Sequence, residues 1–232
     1  MSESIMGLVG LGSITPIPGT AADPRSWGFS TRSEPVNHPD LIRLAIAAHD
    51  ELYPAVLASA RAVVAQGATS VLTTCGFFPP YQDRLARDLP VPVTTSSLML
   101  LPVMERMRPG AILVVAADAK GIGERCLEAT GIQDPGRVIT VGMAEPGPFR
   151  DQVLERGTLD DPDAIRRQVV ETVGQALDAH PDITSICLEC GDMTLVSDAL
   201  RETFGLPVVD YMTAGELLHS SAGAVIPEPA VH

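Results

Sequence analysis

The chain has 232 residues, of which 45% are hydrophobic and 19% charged, as in a globular protein with a substantial core. A formal net charge of −13 and the lack of any lysine- or arginine-rich cluster exclude nucleic acid and anionic membranes as expected partners. No apolar stretch approaches the roughly 20 residues of a membrane span, and the apolar first residues lack the basic leader of a signal peptide. We therefore expect a cytoplasmic protein whose four cysteines are free thiols.

Short apolar runs, which predict strands, alternate along the chain with longer amphipathic stretches, which predict helices. The strands are predicted at 5–11, 70–74, 91–94, 111–116, 137–141 and both ends of 183–209. The helices are predicted at 39–66 (kinked or divided at Pro54), 79–89, 97–107, 122–129, 149–156, 163–179 and 213–219. Residues 13–39, rich in Pro, Gly, Ser and Asp, are predicted to form a long loop. This alternation indicates an α/β fold with parallel sheets built from βαβ units.

An internal repeat divides the chain into two similar halves, because Cys75 and Cys190 belong to segments that match at an offset of 115 positions. The matching residues are Thr69, Ser70, Cys75, Gly76, Asp83, Leu85, Pro92 and Val93, which recur as Thr184, Ser185, Cys190, Gly191, Asp198, Leu200, Pro207 and Val208. Each copy reads as a strand, a Cys-Gly turn, a helix and a second strand. We expect two pseudo-symmetric lobes, residues 1–97 with 211–232 and residues 98–210, that present two cysteines to a shared cleft.

The two Cys-Gly steps carry the candidate chemistry, since ligands of parallel sheets bind beyond the carboxyl ends of the strands. A thiol between a strand and a helix N-terminus should have a lowered pKa, which favours the thiolate. Gly76 and Gly191 should let backbone N–H groups approach a ligand carboxylate. With Cys75 and Cys190 on opposite sides of a small acid, one sulfur can remove the α-proton and the other can return a proton to the opposite face. A lone cysteine would more often be a buried hydrophobe, but two at equivalent repeat positions favour catalysis.

Two segments carry a resemblance to a known family. Residues 73–77 read TTCGF and residues 188–193 read LECGDM, and both are similar to the signature regions of the aspartate/glutamate/hydantoin racemase superfamily. The N-terminal loop adds Pro18-Gly19, Asp23-Pro24 and Trp27-Gly28. The resemblance implies two Rossmann-like lobes with the active site between them, no metal, no cofactor, a small anionic substrate and a fold that often forms homodimers.

The residues after each cysteine differ from those of amino-acid racemases, which usually carry Asn-Thr after the first and Thr-His after the second. Here Cys75 is followed by Gly76 and two phenylalanines, and Cys190 by Gly191, Asp192 and a methionine. The second segment is nearer to hydantoin-type racemases, and Phe77 beside the first cysteine suggests a pocket for a less polar substrate. Free aspartate or glutamate is therefore not the expected substrate.

Further candidate substrate contacts lie at the ends of the predicted strands. Thr74, Ser96 and Ser97 could donate hydrogen bonds to a carboxylate, with helix capping as the alternative role of the serines. Asp118 follows the strand at 111–116, where a solvated turn is the alternative. Two more candidates are Asp192, which could orient a thiol proton or bind an amino group, and Ser13, which follows the first strand where an acidic residue is common in the family.

The sequence thus favours a cofactor-independent racemase or isomerase of a small carboxylate-bearing substrate such as an amino acid or a hydantoin. A maleate-isomerase-type cis–trans isomerase with Cys75 as nucleophile is the alternative within the same fold. A non-catalytic two-lobed binding protein is the alternative from another class. Cys126 and Cys187 are predicted to be core residues, and no histidine has the spacing of a metal ligand.

Overall fold

The computed structural model describes residues 4–12 and 16–222. Its strands are β1 (Met6–Leu11), β2 (Thr31–Val36), β3 (Ser70–Thr73), β4 (Val93–Thr94), β5 (Ala111–Ala116), β6 (Val138–Gly142), β7 (Ile183–Leu188) and β8 (Val208–Val209). Its α-helices are α1 (Leu41–Ile46), α2 (Tyr53–Ala65), α3 (Gln82–Asp88), α4 (Leu101–Met107), α5 (Glu124–Thr130), α6 (Pro162–Ala179), α7 (Ser197–Phe204) and α8 (Tyr211–Ser221). Short 3-10 turns join several of these elements, and Arg150–Arg156 forms a π-helix.

The strands form two four-stranded parallel sheets with the same topology. The first sheet has the order β2-β1-β3-β4 and the second the order β6-β5-β7-β8. Every strand of the first sheet therefore has an equivalent in the second, and β3 and β7, which precede the two Cys-Gly steps, occupy matching positions. The predicted α/β fold with two parallel sheets is confirmed, and the sequence repeat corresponds to a repeated sheet.

The core runs through both sheets as one cluster of buried side chains. β5 is buried along its whole length, as expected for a strand covered on both faces. A smaller apolar cluster lies where α8 covers β3, and it contains Trp27, Leu72 and Tyr211. Within the described ranges, no helix is long and apolar enough to cross a membrane.

One strand lies inside the segment predicted to be a loop. β2 pairs in parallel with β1 from Thr31 to Val36 at the edge of the first sheet. Its sequence, TRSEPV, contains two charges and a proline, which edge strands tolerate because one side of the strand needs no partner. The prediction of a continuous loop over 13–39 is therefore wrong for this stretch.

The helix predicted over 39–66 is divided into α1 and α2, but the break precedes the proline to which the sequence assigned it. Ala48 has a positive φ of 41°, and α2 begins at Tyr53 with Pro54 in its first turn. Proline is favoured in the first turn of a helix because its missing N–H has no intrahelical partner there. Pro54 thus helps to start a helix rather than to kink one.

Candidate active site

A cavity of about 340 Å³ lies where strands of both sheets end. The first sheet contributes the end of β1 and the residues after β3, and the second contributes the residues after β5 and β7. Apolar side chains of α1 and of the π-helix close other parts of the wall, including Ile42, Ile46 and Leu154. The cavity is thus at the carboxyl ends of parallel strands, where such folds bind ligands.

Most of the residues predicted from the sequence meet in this cavity. Those on its wall are Thr74, Cys75, Gly76, Phe77, Asp118, Cys190, Gly191 and Asp192. The two Cys-Gly steps therefore contribute to one cavity from equivalent positions of the repeat. Ser13 lies outside the described residues.

Ser96 and Ser97 do not belong to the described cavity wall. The Ser96 hydroxyl accepts a hydrogen bond from the Leu98 N–H (3.1 Å), which is the capping role. The Ser97 hydroxyl donates to the Leu188 carbonyl at the end of β7 (2.7 Å). Both serines are buried and tie the start of the 97–107 segment to its surroundings, so the structure gives them structural contacts instead of the predicted place beside a substrate.

The two thiols have raised pKa values, which contradicts the predicted thiolate. Cys75 is 5% exposed, and burial raises the pKa of its thiol far above the ordinary range, with the negative charge of Glu189 adding to the effect. Burial likewise raises the pKa of Cys190, followed by the charges of Asp192 and Glu189. The N–H groups of Phe77 and Asp192 donate to the two sulfurs and oppose the rise. A 3-10 helix, Gly191–Val196, begins directly after Cys190, whereas the first one after Cys75 begins only at Pro79. Burial outweighs any helix field at both thiols.

Glu189 is a buried residue of the cavity wall that the sequence analysis missed. Its side chain lines the cavity between the two Cys-Gly steps and is 1% exposed. The Ala117 N–H donates a hydrogen bond to its Oε2 (2.9 Å). Burial raises the pKa of this carboxyl to about 8, and the charges of Asp192 and Asp118 act in the same direction. The available signal was a carboxylate at the end of the apolar run ITSICL, next to a candidate catalytic cysteine.

Gly76 packs directly against Glu189. A Cβ built on Gly76 would overlap both Oε1 and the backbone carbonyl oxygen of Glu189. The glycine of the first Cys-Gly step is therefore required by a close approach of the two halves of the site. A larger residue at this position would force the backbone or the Glu189 side chain to shift.

Asp192 is a second buried carboxyl of the cavity. The Cys190 thiol donates to its Oδ2 across 3.7 Å, and the side chain is 6% exposed. Burial raises its pKa to about 6. Glu34 and Asp118 also line the cavity, whereas its described lining contains no Lys, Arg or His. The wall is therefore apolar and acidic, without a basic side chain among the described residues.

The class that the fold and the site define is that of α/β proteins with two similar parallel sheets and a cavity lined by both halves of the repeat. The chain belongs to the Asp/Glu/hydantoin racemase family, whose sequence model matches residues 32–216.

Relatives and solved structures of this kind cover several activities. The chain is 26% identical over 173 residues to "Dimethylsulfoniopropionate lyase 5" of Emiliania huxleyi; the match covers 68% of this chain but only 34% of that protein. It is similar in structure to allantoin racemase from Klebsiella pneumoniae, with a TM-score of 0.61, 20% identity and coverage of 94% of this chain and 87% of the other. Arylmalonate decarboxylase gives a TM-score of 0.59 at 15% identity, with coverage of 95% and 93%. These structural likenesses show the fold, and the chain spans about a third of the length of the lyase.

Proposed function

We propose that this chain is a cofactor-independent racemase that acts on the carbon next to a carboxylate of a small substrate, with Cys75 and Cys190 as its acid/base pair. The observation that carries the proposal is the presence of both cysteines on the wall of one cavity. Membership of the racemase family supports it. The shared topology of the two sheets also supports the proposal, because cysteines at equivalent positions of two similar halves can lie on opposite faces of one substrate.

In the proposed reaction, the thiolate of one cysteine accepts the α-proton, so a C–H bond breaks and an S–H bond forms. The electron pair left on carbon is delocalised into the substrate carboxylate. Gly76, Gly191 and Thr74 lie on the cavity wall, and in this proposal their N–H groups and hydroxyl donate hydrogen bonds to that growing charge. The thiol of the other cysteine then gives its proton to the opposite face of the carbon, and the two cysteines have exchanged their protonation states.

The raised pKa values of the thiols set a condition on this mechanism. A neutral thiol is the required form of the proton donor, but the acceptor must be ionised when it meets the substrate. Substrate binding must therefore lower the pKa of one thiol. With both thiols neutral, the ligand-free site can donate a proton but cannot accept one.

A β-eliminating lyase is the second candidate, and the similarity to a dimethylsulfoniopropionate lyase favours it. Both reactions begin with loss of the α-proton to a cysteine. In the lyase the electron pair then expels a leaving group from the β-carbon, so no second proton reaches the α-carbon. A cis–trans isomerase using Cys75 as nucleophile is less favoured, because attack on the substrate needs an accessible sulfur and this thiol is the more buried of the two.

Solvent deuterium exchange tests the proposal. Candidate hydantoins, amino acids and β-sulfonio acids are incubated with the protein in D₂O and followed by NMR and chiral chromatography. A racemase produces α-deuterated substrate of both hands, and both Cys75→Ser and Cys190→Ser abolish racemisation. A lyase produces an alkene and a free leaving group instead. Exchange that persists unchanged in both serine variants would refute a role for the cysteines.

A further inference from the structure

The buried acids of this protein fall into two sets. Among the described residues, the buried carboxyl side chains are Asp23, Glu189, Asp192 and Asp210. Asp23 lies 2.6 Å from a nitrogen of the Arg25 guanidinium, and Asp210 lies 3.7 Å from that of Arg201. Glu189 and Asp192 form no ion pair with any described basic residue. The two acids without a counter-charge are the two that line the cavity.

A buried carboxylate without a counter-charge is costly, because the interior solvates it poorly. Each of the two cavity acids has few contacts to offset this cost. Glu189 accepts one hydrogen bond from Ala117, and Asp192 faces the weakly donating thiol of Cys190. Asp210, by contrast, accepts hydrogen bonds from Ser197 and from the Thr213 N–H besides its approach to an arginine. The chain thus places a basic side chain beside its other buried acids and none beside the two described acids of the cavity.

We infer that the substrate supplies the missing counter-charge, and that Glu189 and Asp192 bind a positively charged group, an ammonium or a sulfonium, located near the reacting carbon. The inference rests on the proposed function for the carboxylate at the other end of the substrate, so the ligand is a zwitterion. The apolar part of the wall, which includes Leu11, Ile42 and Phe77, suits the carbon skeleton between and around the two charges.

A bound cation also meets the condition that the mechanism sets. Negative charge on Asp192 and Glu189 opposes ionisation of both thiols. Glu189 holds its proton below about pH 8 in the ligand-free protein, and a cation beside the two acids favours the ionised form of both carboxyl groups. The same cation offsets their repulsion of a thiolate. The ligand that satisfies the buried acids is therefore also the one that prepares a cysteine to accept a proton.

Three probes with one carbon skeleton test the inference by isothermal titration calorimetry. 4-Methylpentanoate carries only the carboxylate, leucine adds an ammonium at the α-carbon, and 3-(dimethylsulfonio)propionate replaces the branching carbon by a sulfonium. Each is titrated into the wild-type protein and into Cys75→Ser, which removes turnover. We expect at least one cationic probe to bind about ten-fold or more tightly than 4-methylpentanoate, as charge-assisted contacts do. The tighter of the two identifies the ammonium or the sulfonium as the group recognised.

Substitution of the acid provides the second arm. Asp192→Asn should reduce the preference for the cationic probe to within about three-fold, since the neutral amide keeps the size of the side chain but not its charge. Asp198→Asn, at an exposed acid paired with Arg201, serves as the matched control and should keep the full preference. Equal binding of all three probes by the wild type, or binding of none, overturns the inference. Neither result affects the deuterium-exchange test of the two cysteines, so the two proposals fail separately.

Discussion

Replacing Glu189 by glutamine should change how the stability of the ligand-free protein depends on pH. The folded structure raises the pKa of this carboxyl from 4.5 to about 8, mainly through burial. Such a rise corresponds to roughly 5 kcal/mol of extra cost for ionising the group in the folded state. Below pH 4.5 both the folded and the unfolded chain hold the proton, and the cost is absent. Between pH 4.5 and 8 only the folded chain holds it, so wild-type stability falls as pH rises.

Glu189→Gln removes this titration while leaving an oxygen to accept the Ala117 N–H. The free energy of unfolding of the variant, minus that of the wild type, should therefore increase with pH across this window, by several and at most about 5 kcal/mol. Urea unfolding followed by circular dichroism at pH 5, 6, 7 and 8 measures this difference. The exposed Glu216 supplies the control, because Glu216→Gln also removes a carboxylate but should leave the difference flat. A flat difference for Glu189→Gln would refute the burial of an uncompensated carboxyl at this site.

Two further predictions follow from the same contacts. Gly76→Ala should destabilise the protein by about 1–3 kcal/mol, because its Cβ overlaps Glu189. The control Gly123→Ala, with no atom near its Cβ position, should cost less than about 1 kcal/mol. Thermal unfolding measures both, and equal melting temperatures would contradict the close packing. Iodoacetamide should alkylate the partly exposed Cys190 before the buried Cys75. Both reactions should be slow at pH 7, because both thiols have raised pKa values. Peptide mass spectrometry gives the order of labelling, and rapid labelling of Cys75 would contradict this prediction.

The repeat made the fold predictable, because the offset of 115 positions relates a strand, a Cys-Gly turn and a helix of one half to those of the other. Elements whose sequence pattern reflects burial on both faces, such as β5, were predicted with their observed bounds. β2 was missed because an edge strand needs no continuous apolar run and tolerates Pro35, which has no N–H to donate, so its composition resembles that of a loop. Pro54 was expected to kink or divide a helix, and the helix is divided, but sequence alone does not say whether a proline lies inside a helix or in its first turn.

The site was predictable as far as it depended on strand ends. The ends of parallel strands meet at one edge, and this principle brought Thr74, Asp118 and both Cys-Gly steps into one cavity. It also selected Ser96 and Ser97, but their hydroxyls are used by the backbone of neighbouring elements. The thiol pKa values depend on burial and on charges from distant segments, which no local pattern records. The role of Glu189 depends on a contact of its carboxyl with Gly76 across the repeat, which the sequence does not reveal.

The two copies of the repeat differ in the acids that they contribute to the cavity. At the offset of 115 positions, Glu189 corresponds to Thr74 and Asp192 to Phe77, so the acids occur in only one of the two copies. The segment that contains Cys75 therefore contributes no acid to the wall, whereas the segment that contains Cys190 contributes two. For the zwitterion inferred above, we expect the cation to lie beside Glu189 and Asp192 and the apolar skeleton to lie toward Phe77. Because the charge of the cation acts most strongly on the nearer sulfur, the two cysteines cease to be equivalent when the substrate binds, and Cys190 is the one whose pKa should fall further.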